Sequence, residues 1–194
     1  MSVADASEVL DFWFGAPGAD GYGEFREAWF RKDEAFDRTI AERFGALIEA
    51  GLHGELSDWA TSAHGALAQI VVLDQFPRNV FRGSARAFAG DAQALAVARH
   101  LVEAGQDREL LPVQRGFVYL PYEHAEDLAT QNEAVALYTK LAAGDRRLEG
   151  MRDYAERHRD VIRRFGRFPH RNAALGRATT PEEALYLSQP GAGF

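Results

Sequence analysis

Apolar side chains recur every three or four residues along most of the chain, which is the spacing of amphipathic helices. The clearest segment carries Phe36, Ile40, Phe44, Leu47 and Ile48. Gly51 follows, and we expect the helix to end there because glycine is common just after helices. No stretch shows the alternation of apolar and polar residues that predicts a β-strand. The pattern therefore predicts an all-α fold.

Capping residues mark the first and last helices. Asp5 and Glu8 have the spacing of a capping box and Gly15 follows the apolar positions, so the first helix is expected over about Ser7–Phe14. Thr180–Glu183 combines a cap residue, a proline at the first helical position and a glutamate at the third. This combination predicts the start of a short last helix.

Prolines and glycines divide the intervening chain. A third helix is expected to begin at Ser57 and stop at Pro77, because proline lacks the N–H that continues a helix. A fourth is expected from about Asp91 to Ala104, and a later one is expected to end at Gly166.

Pro121 interrupts a helical pattern that resumes as far as Leu141, which predicts one kinked helix or two short ones. No linker rich in serine, glycine or proline divides the chain. We therefore expect residues 1–194 to form one domain of seven to nine helices.

The composition fits an ordinary globular protein, since 46% of the 194 residues are hydrophobic. The absence of cysteine excludes disulfides, thiolate metal sites and cysteine nucleophiles. Met1–Asp5 lacks the basic and apolar regions of a signal peptide, and no apolar run approaches the roughly 20 residues that cross a bilayer. We expect a cytoplasmic protein with no membrane partner.

The net charge of −7 argues against a dedicated nucleic-acid-binding protein, which needs a dense basic surface. The charges are unevenly distributed. Glu123–Thr139 contains four acidic residues and no lysine or arginine, whereas Arg152–Arg177 contains eight arginines. We expect the acidic and basic segments to be neighbours.

One polar pattern occurs twice, at Phe76–Asn79 and, with an inserted histidine, at Phe168–Asn172. Proline restricts the residue before it and ends or kinks a helix. Each Arg-Asn pair is therefore expected just past a helix end, where its guanidinium and amide donors suit either a structural lock or an anionic ligand.

The two copies and their neighbours supply the candidate ligand-binding residues. These are Asp74, Gln75, Arg78, Asn79, Arg82, Glu126, His170, Arg171 and Asn172. Arg78 and Arg82 on one side and Arg171 on the other would clamp a carboxylate or phosphate. Asp74 lies four residues before Arg78 and is placed to pair with it across the helix end.

Glu123 and His124 are the candidate catalytic residues. Glu123, Glu126 and Asp127 share a helix face, which would raise their pKa values and suit a general acid or base. A di-metal carboxylate bundle needs Glu-x-x-His on two helices. The sequence has no such motif, and we predict neither a metal nor a cofactor. If these acids instead saturate the arginines of the repeated pattern, the two form a structural ionic lock.

Four motifs carry a family resemblance over nearly the whole chain: Asp11–Gly15, Leu73–Asn79, Tyr119–Glu126 and Phe168–Asn172. The chain resembles a bacterial family known as domain of unknown function 924. The resemblance implies an all-helical fold of antiparallel helix pairs similar to tetratricopeptide repeats, and it implies no activity. Ala125 stands where the resemblance leads us to expect a serine.

Three hypotheses about function follow. The first is a protein that binds an anionic small molecule or a peptide carboxylate in a concave site lined by Arg, Asn, Glu and His. The second is a hydrolase or lyase with Glu123 or His124 as general acid or base. The third is a structural ionic lock within a protein-interaction scaffold. The sequence lacks a phosphate-binding glycine loop, a Gly-x-Ser-x-Gly elbow and a His-Glu-x-x-His motif.

Overall fold

A computed structural model describes residues 5–193, and this part of the chain contains helices and no β-strand. The helices are α1 (Ala6–Phe14), α2 (Glu34–Leu52), α3 (Ala63–Ile70), α4 (Phe76–Val80), α5 (Asp91–Glu103), α6 (Pro112–Glu123), α7 (Leu128–Gly144), α8 (Glu149–Phe165) and α9 (Pro181–Leu187). A π-helical segment, Val71–Gln75, joins α3 to α4 as one continuous helix. The described residues thus hold eight helices, which confirms the all-α class and the predicted number.

The described chain divides into two compact units. The first contains the residues up to Arg82 and Arg86–Pro121, and the second contains Gly83–Ala85 and the residues from Tyr122 onward. That residues 1–194 act as one domain stays a prediction, as does the likeness to tetratricopeptide repeats. Within the described residues, none of the helices has both the length and the hydropathy of a membrane-spanning helix.

Helix ends with a local capping signal lie where the sequence predicts them. The Asp5 carboxylate accepts hydrogen bonds from two N–H groups of the first turn of α1, Glu8 completes the capping box, and Gly15 follows the helix. Helix α5 begins at Asp91 and ends beside Gly105, which has a left-handed conformation. These predictions are confirmed.

Aromatic rings form the centre of the first unit. Trp13 of α1 meets Phe76 of α4 and Phe117 of α6 edge-on, with ring centroids 5.6 and 5.9 Å apart. Phe44 of α2 stacks on Phe76 at 4.9 Å. Since such pairs add to the free energy gained by burying the rings, the cluster holds four helices of this unit together.

The prediction that α2 ends at Gly51 is wrong, because the helix runs on to Leu52. Gly51 is buried, and a Cβ placed there would lie 3.2–3.3 Å from the side chains of Leu56, Leu73 and Val72. The glycine therefore serves close packing of α2 rather than its termination.

The third helix begins later than Ser57. Ser57–Thr61 forms a 3-10 turn, and the hydroxyl of Ser62 caps α3 by accepting a hydrogen bond from the Gly65 N–H at 3.1 Å. A Cβ at Gly65 would lie only 2.0 Å from the carbonyl oxygen of Trp59. The glycine allows the turn to fold directly onto the start of α3.

Pro77 does not stop the third helix, contrary to the prediction. In the π-helical segment the Phe76 N–H bonds to the carbonyl of Val71, five residues earlier. This shift restarts the helix, so that Pro77 lies in the first turn of α4, where its missing N–H costs little. Arg78 and Asn79 are therefore helical residues and do not lie past a helix end.

The Pro121 region forms two helices, but their break lies after the proline. Helix α6 contains Pro121 and ends at Glu123, and the Asp127 carboxylate caps α7 by accepting a hydrogen bond from the Thr130 N–H at 2.8 Å. The sequence thus predicted the existence of a break, whereas the capping residue determines its position.

Helices α7 and α8 pack side by side in the second unit, which confirms that the acidic and basic segments are neighbours. Gly166 ends α8 in a left-handed conformation, and Pro169–Arg171 forms a 3-10 turn just beyond it. The second Arg-Asn pair therefore lies past a helix end as predicted. Helix α9 begins at the expected capping box of Thr180 and Glu183.

Candidate functional site

Arg78 in the first copy of the motif is held between two carboxylates. Its Nη1 and Nη2 donate to the two carboxylate oxygens of Asp91 at 2.7 and 3.0 Å. Nη1 also lies 3.2 Å from Oδ1 of Asp74, which is fully buried. Gln75 donates to the other Asp74 oxygen at 2.6 Å. This planar, two-sided arrangement suits guanidinium geometry, and it pairs Arg78 with the protein's own acids.

Asn79 and Arg82 share one acceptor, the carboxylate of Asp37 on α2. The Asn79 amide donates to Oδ1 at 2.7 Å, and Arg82 donates from Nε and Nη2 at 2.7 and 3.0 Å. Burial would raise the pKa of Asp37, but the hydrogen bonds from Arg82 and Asn79 outweigh it and lower that pKa. The Asp37 carboxylate is therefore held ionised.

In the ionic-lock hypothesis Glu123 or Glu126 would saturate these arginines, but Asp37 and Asp91 of the first unit pair with them instead. Neither acid gives a local signal in the sequence. Asp37 precedes Asn79 by 42 residues, and Asp91 reads simply as the start of a helix. The expected pairing of Asp74 with Arg78 is confirmed.

The second copy of the motif is tied to Glu126. This carboxylate accepts hydrogen bonds from the Phe168 N–H at 2.7 Å and from Nη1 and Nη2 of Arg177 at 2.6 and 2.9 Å. Burial favours a higher pKa for Glu126, yet the hydrogen bonds from Arg177 and Phe168 lower it. Arg177 also donates to the carbonyl of Phe168 at 3.0 Å. The Glu126–Arg177 pair therefore binds both the N–H and the carbonyl group of Phe168.

Glu183 provides a second carboxylate that contacts the second copy of the motif. It accepts two hydrogen bonds from Arg167, at 2.6 and 2.9 Å, and one from the Asn172 amide at 3.1 Å. The bonds from Arg167, followed by that from the Thr180 N–H, lower the pKa of Glu183 to about 2. Asn172 is fully buried, and its carbonyl oxygen accepts from Arg177 at 2.9 Å. This predicted ligand-binding residue thus links the two carboxylate clusters.

Basic side chains gather around the buried ring of Phe168. The guanidinium of Arg171 lies 4.5 Å from the ring centroid, and the rings of His158 and His170 lie 5.5 and 5.6 Å from it. His124 is 6.2 Å from His158, ring to ring. We call His124, His158, His170 and Arg171 the basic cluster.

Glu123 joins the basic cluster from the end of α6. Its Oε1 lies 3.0 Å from Nδ1 of His158, and both side chains are buried. The same Nδ1 lies 2.9 Å from the carbonyl of Tyr154. Burial, together with the nearby His124, His170 and Arg171, holds the pKa of His158 well below 6.5.

The structure thus separates the predicted site residues into two groups. Asp74, Gln75, Arg78, Asn79 and Arg82 belong to the first unit, and Glu123, His124, Glu126, His170, Arg171 and Asn172 belong to the second. In residues 5–193 no group of three or more His, Asp or Glu side chains is arranged to hold a metal ion.

Three residues that the second unit brings into these clusters are not among the predicted ligand-binding or catalytic residues. His158 and Arg177 belong to the basic residues of the arginine-rich segment, which group with His170–Asn172 in the sequence. Glu183 was recognised as the third residue of a capping box, which it is. Its additional pairing with Arg167 depends on the path of the chain between α8 and α9.

The fold and these clusters define a class: an all-helical protein in which arginine–carboxylate pairs hold both copies of the polar motif. The chain belongs to the family described as bacterial protein of unknown function (DUF924), which matches residues 9–191. It is also similar to the solved structure of a protein of unknown function, ATU0120, from Agrobacterium tumefaciens. The two are 41% identical with a TM-score of 0.83, over 94% of this chain and 96% of that one. No curated protein matches the chain.

Proposed function

We propose that the protein binds an anionic small molecule or a peptide carboxylate at the basic cluster of the second unit. The observation that carries the proposal is the convergence of His158, His170 and Arg171 around the Phe168 ring, with His124 beside His158. A guanidinium together with three imidazoles favours a negatively charged ligand. Arg171, stacked on the ring, would present a planar guanidinium to a carboxylate or phosphate.

The proposal assigns different roles to the other predicted ligand residues. Arg78, Asn79 and Arg82 donate to Asp91 and Asp37. We therefore assign these side chains to the ionic lock of the first unit, and we centre ligand binding on the second copy of the motif. Asn172, held between Glu183 and Arg177, positions the turn that carries His170 and Arg171.

Ligand binding should be coupled to proton uptake. The neutral form of His158 is favoured by burial and by its basic neighbours. An anion near the cluster would stabilise the protonated imidazole. Affinity should accordingly rise as the pH falls towards the pKa of His158.

A thermal-shift screen with inorganic phosphate, acetate, succinate and citrate tests the proposal. A ligand present at 100 times its dissociation constant adds about 2.7 kcal/mol to stability. We expect stabilisation of the wild type that is lost in His170→Gln and Arg171→Lys. His100→Gln, which changes an exposed histidine of the first unit, should retain it. The proposal is wrong if the shift survives in both cluster variants, or if none of the four anions stabilises the wild type.

The Glu123–His158 pair favours a second candidate function, a hydrolase or lyase with general acid–base catalysis. A buried carboxylate 3.0 Å from an imidazole nitrogen is the arrangement that orients a histidine for proton transfer. Neutral and phosphorylated p-nitrophenyl esters provide a first assay. If this candidate is right, Glu123→Gln will lower kcat and leave anion binding intact. Equal turnover by Glu123→Gln and wild type would exclude it.

A further inference from the structure

A groove of about 410 Å³ lies in the first unit, outside both copies of the motif. Its walls come from α1, from the segment before α2, from the Ser57–Thr61 turn with the start of α3, and from α6. The polar and aromatic residues that matter here are Asp11, Tyr22, Asp58, Trp59, His64 and Gln114. The volume falls within the range of small-molecule sites, roughly 300–1,000 Å³.

Gln114 is the buried polar residue of this groove, since only 1% of the residue's surface is exposed. Its Oε1 accepts a hydrogen bond from the Leu111 N–H at 3.0 Å, at the start of α6. Among residues 5–193, no acceptor takes a hydrogen bond from its Nε2. Gln114 lines the groove, so a ligand atom that accepts a hydrogen bond can pair with this amide donor.

The charge of the groove is negative. None of the described residues forms an ion pair or a hydrogen bond with the carboxylates of Asp11 and Asp58. No lysine or arginine is among the described lining residues. The nearby Arg26 directs its guanidinium to the carbonyls of Phe12 and Trp13, at 3.4 and 3.2 Å. A cation is therefore the favoured occupant.

Aromatic side chains lie beside these carboxylates. Trp59 and Tyr22 are half-buried and line the groove, and Gly65 permits the close backbone contact that fixes the Trp59 turn on α3. An aromatic face attracts a cation and also covers a hydrocarbon group. The groove thus combines the parts that recognise an organic ammonium ion.

We infer that this groove binds a small primary amine that also carries a hydrogen-bond acceptor. The ammonium group contacts Asp11 and Asp58, the apolar portion packs on Trp59 and Tyr22, and the acceptor bonds to Nε2 of Gln114. This site is independent of the anion site proposed above, because its described lining residues all belong to the first unit.

Tryptophan fluorescence reports on the site directly. Trp13 and Trp29 are 0% and 5% exposed, whereas Trp59 is half-buried in the groove wall. Phenylalaninamide is the probe, since it has an ammonium group, a phenyl ring and an amide carbonyl. N-acetylphenylalaninamide retains the ring and the carbonyl without the charge, and 2-phenylethylamine retains the charge and the ring without the carbonyl.

We expect a saturable fluorescence change with phenylalaninamide, lost in Trp59→Phe, and at least tenfold weaker binding of both comparison compounds. Asp11→Asn and Asp58→Asn should each weaken binding at least fivefold. Glu42→Gln, an exposed carboxylate on α2, should leave it unchanged, and so should His170→Gln. The inference is overturned if the acetylated compound binds as well as the amine, if both aspartate variants bind normally, or if no saturable change occurs. Circular dichroism of each variant confirms that a loss of binding is not a loss of folding.

Discussion

Glu126 and Arg177 are joined by two hydrogen bonds across 51 residues of sequence, at 2.6 and 2.9 Å. Glu126 precedes α7, and Arg177 lies in the turn between α8 and α9. The bidentate pair therefore connects the two ends of the second unit's helical hairpin. It also supports the turn that carries Arg171, because Glu126 accepts from the Phe168 N–H.

Arg177→Ala should destabilise the protein by about 2 kcal/mol. The two side chains are 23% and 25% exposed, so the cost should lie between the ~0–1 kcal/mol of surface pairs and the ~3–5 kcal/mol of buried ones. Urea unfolding measures the difference. Arg163→Ala, which removes an ion pair more than half exposed, should change stability by less than about 0.5 kcal/mol. A double-mutant cycle with Glu126→Ala that gave no coupling energy would contradict this account.

Local signals in the sequence predicted several helix ends correctly, whereas they did not indicate which side chains pair between distant segments. Asp5, Gly166 and Thr180 act through backbone groups within a few residues, so their roles are encoded nearby. Asp37 meets Arg82 only after α2 has packed on α4. No sequence feature near Asp37 or Arg82 indicates that these two residues pair.

Arg78→Ala should cost more stability than Arg82→Ala. Arg78 faces Asp74, whose side chain is 0% exposed, and removal of one partner of a buried pair costs about 3–5 kcal/mol. Arg82 is 39% exposed, and its loss leaves Asp37 bonded to Asn79, so about 1 kcal/mol is expected. Chemical denaturation of both variants gives the ranking. Equal effects, or a larger effect for Arg82→Ala, would show that burial of Asp74 does not govern the lock.

The π-helical segment shows why the effect of Pro77 could not be read from the sequence. Proline is incompatible with a regular helix interior, so a stop was the reasonable prediction. The structure accommodates it by changing the hydrogen-bond register one residue earlier. Close packing accompanies that change, since a Cβ at Gly90 would lie 2.2 Å from the carbonyl oxygen of Leu73 within the segment.

Two glycine-to-alanine substitutions should therefore have opposite effects. Gly90→Ala forces backbone atoms apart at the π-helical segment, and overpacking of this kind costs about 1–3 kcal/mol or more. Gly45→Ala adds a methyl group in the interior of α2 with nothing within 4 Å, and alanine is favoured there by roughly 0.5–1 kcal/mol. Thermal unfolding of the two variants tests both signs. A stabilising Gly90→Ala would mean that the segment can move away from α5 at little cost.

Glu183→Gln should reduce the loss of stability in acid. The pKa of Glu183 is lowered from 4.5 to about 2 by Arg167 and the Thr180 N–H. On acidification the unfolded chain takes up the proton first, so this contribution is complete above about pH 4.5 and disappears as the pH falls to about 2. The variant should be less stable at pH 7 and should show a shallower pH dependence in that window. Glu182→Gln, which changes a more exposed neighbour paired with Arg164, should resemble the wild type.

His158 should affect the pH dependence of stability in a separate pH range, nearer neutrality. Its folded pKa lies well below 6.5 because the ring is buried and faces His124, His170 and Arg171, so the unfolded chain binds the proton first as the pH falls below 6.5. Stability should therefore decline as the pH falls below about 6.5, and His158→Gln should remove that decline. Urea midpoints measured at intervals across this range test it, with His100→Gln as the control. If the decline persists in His158→Gln, the basic cluster does not keep this histidine neutral, and the coupling of anion binding to proton uptake proposed for it fails as well.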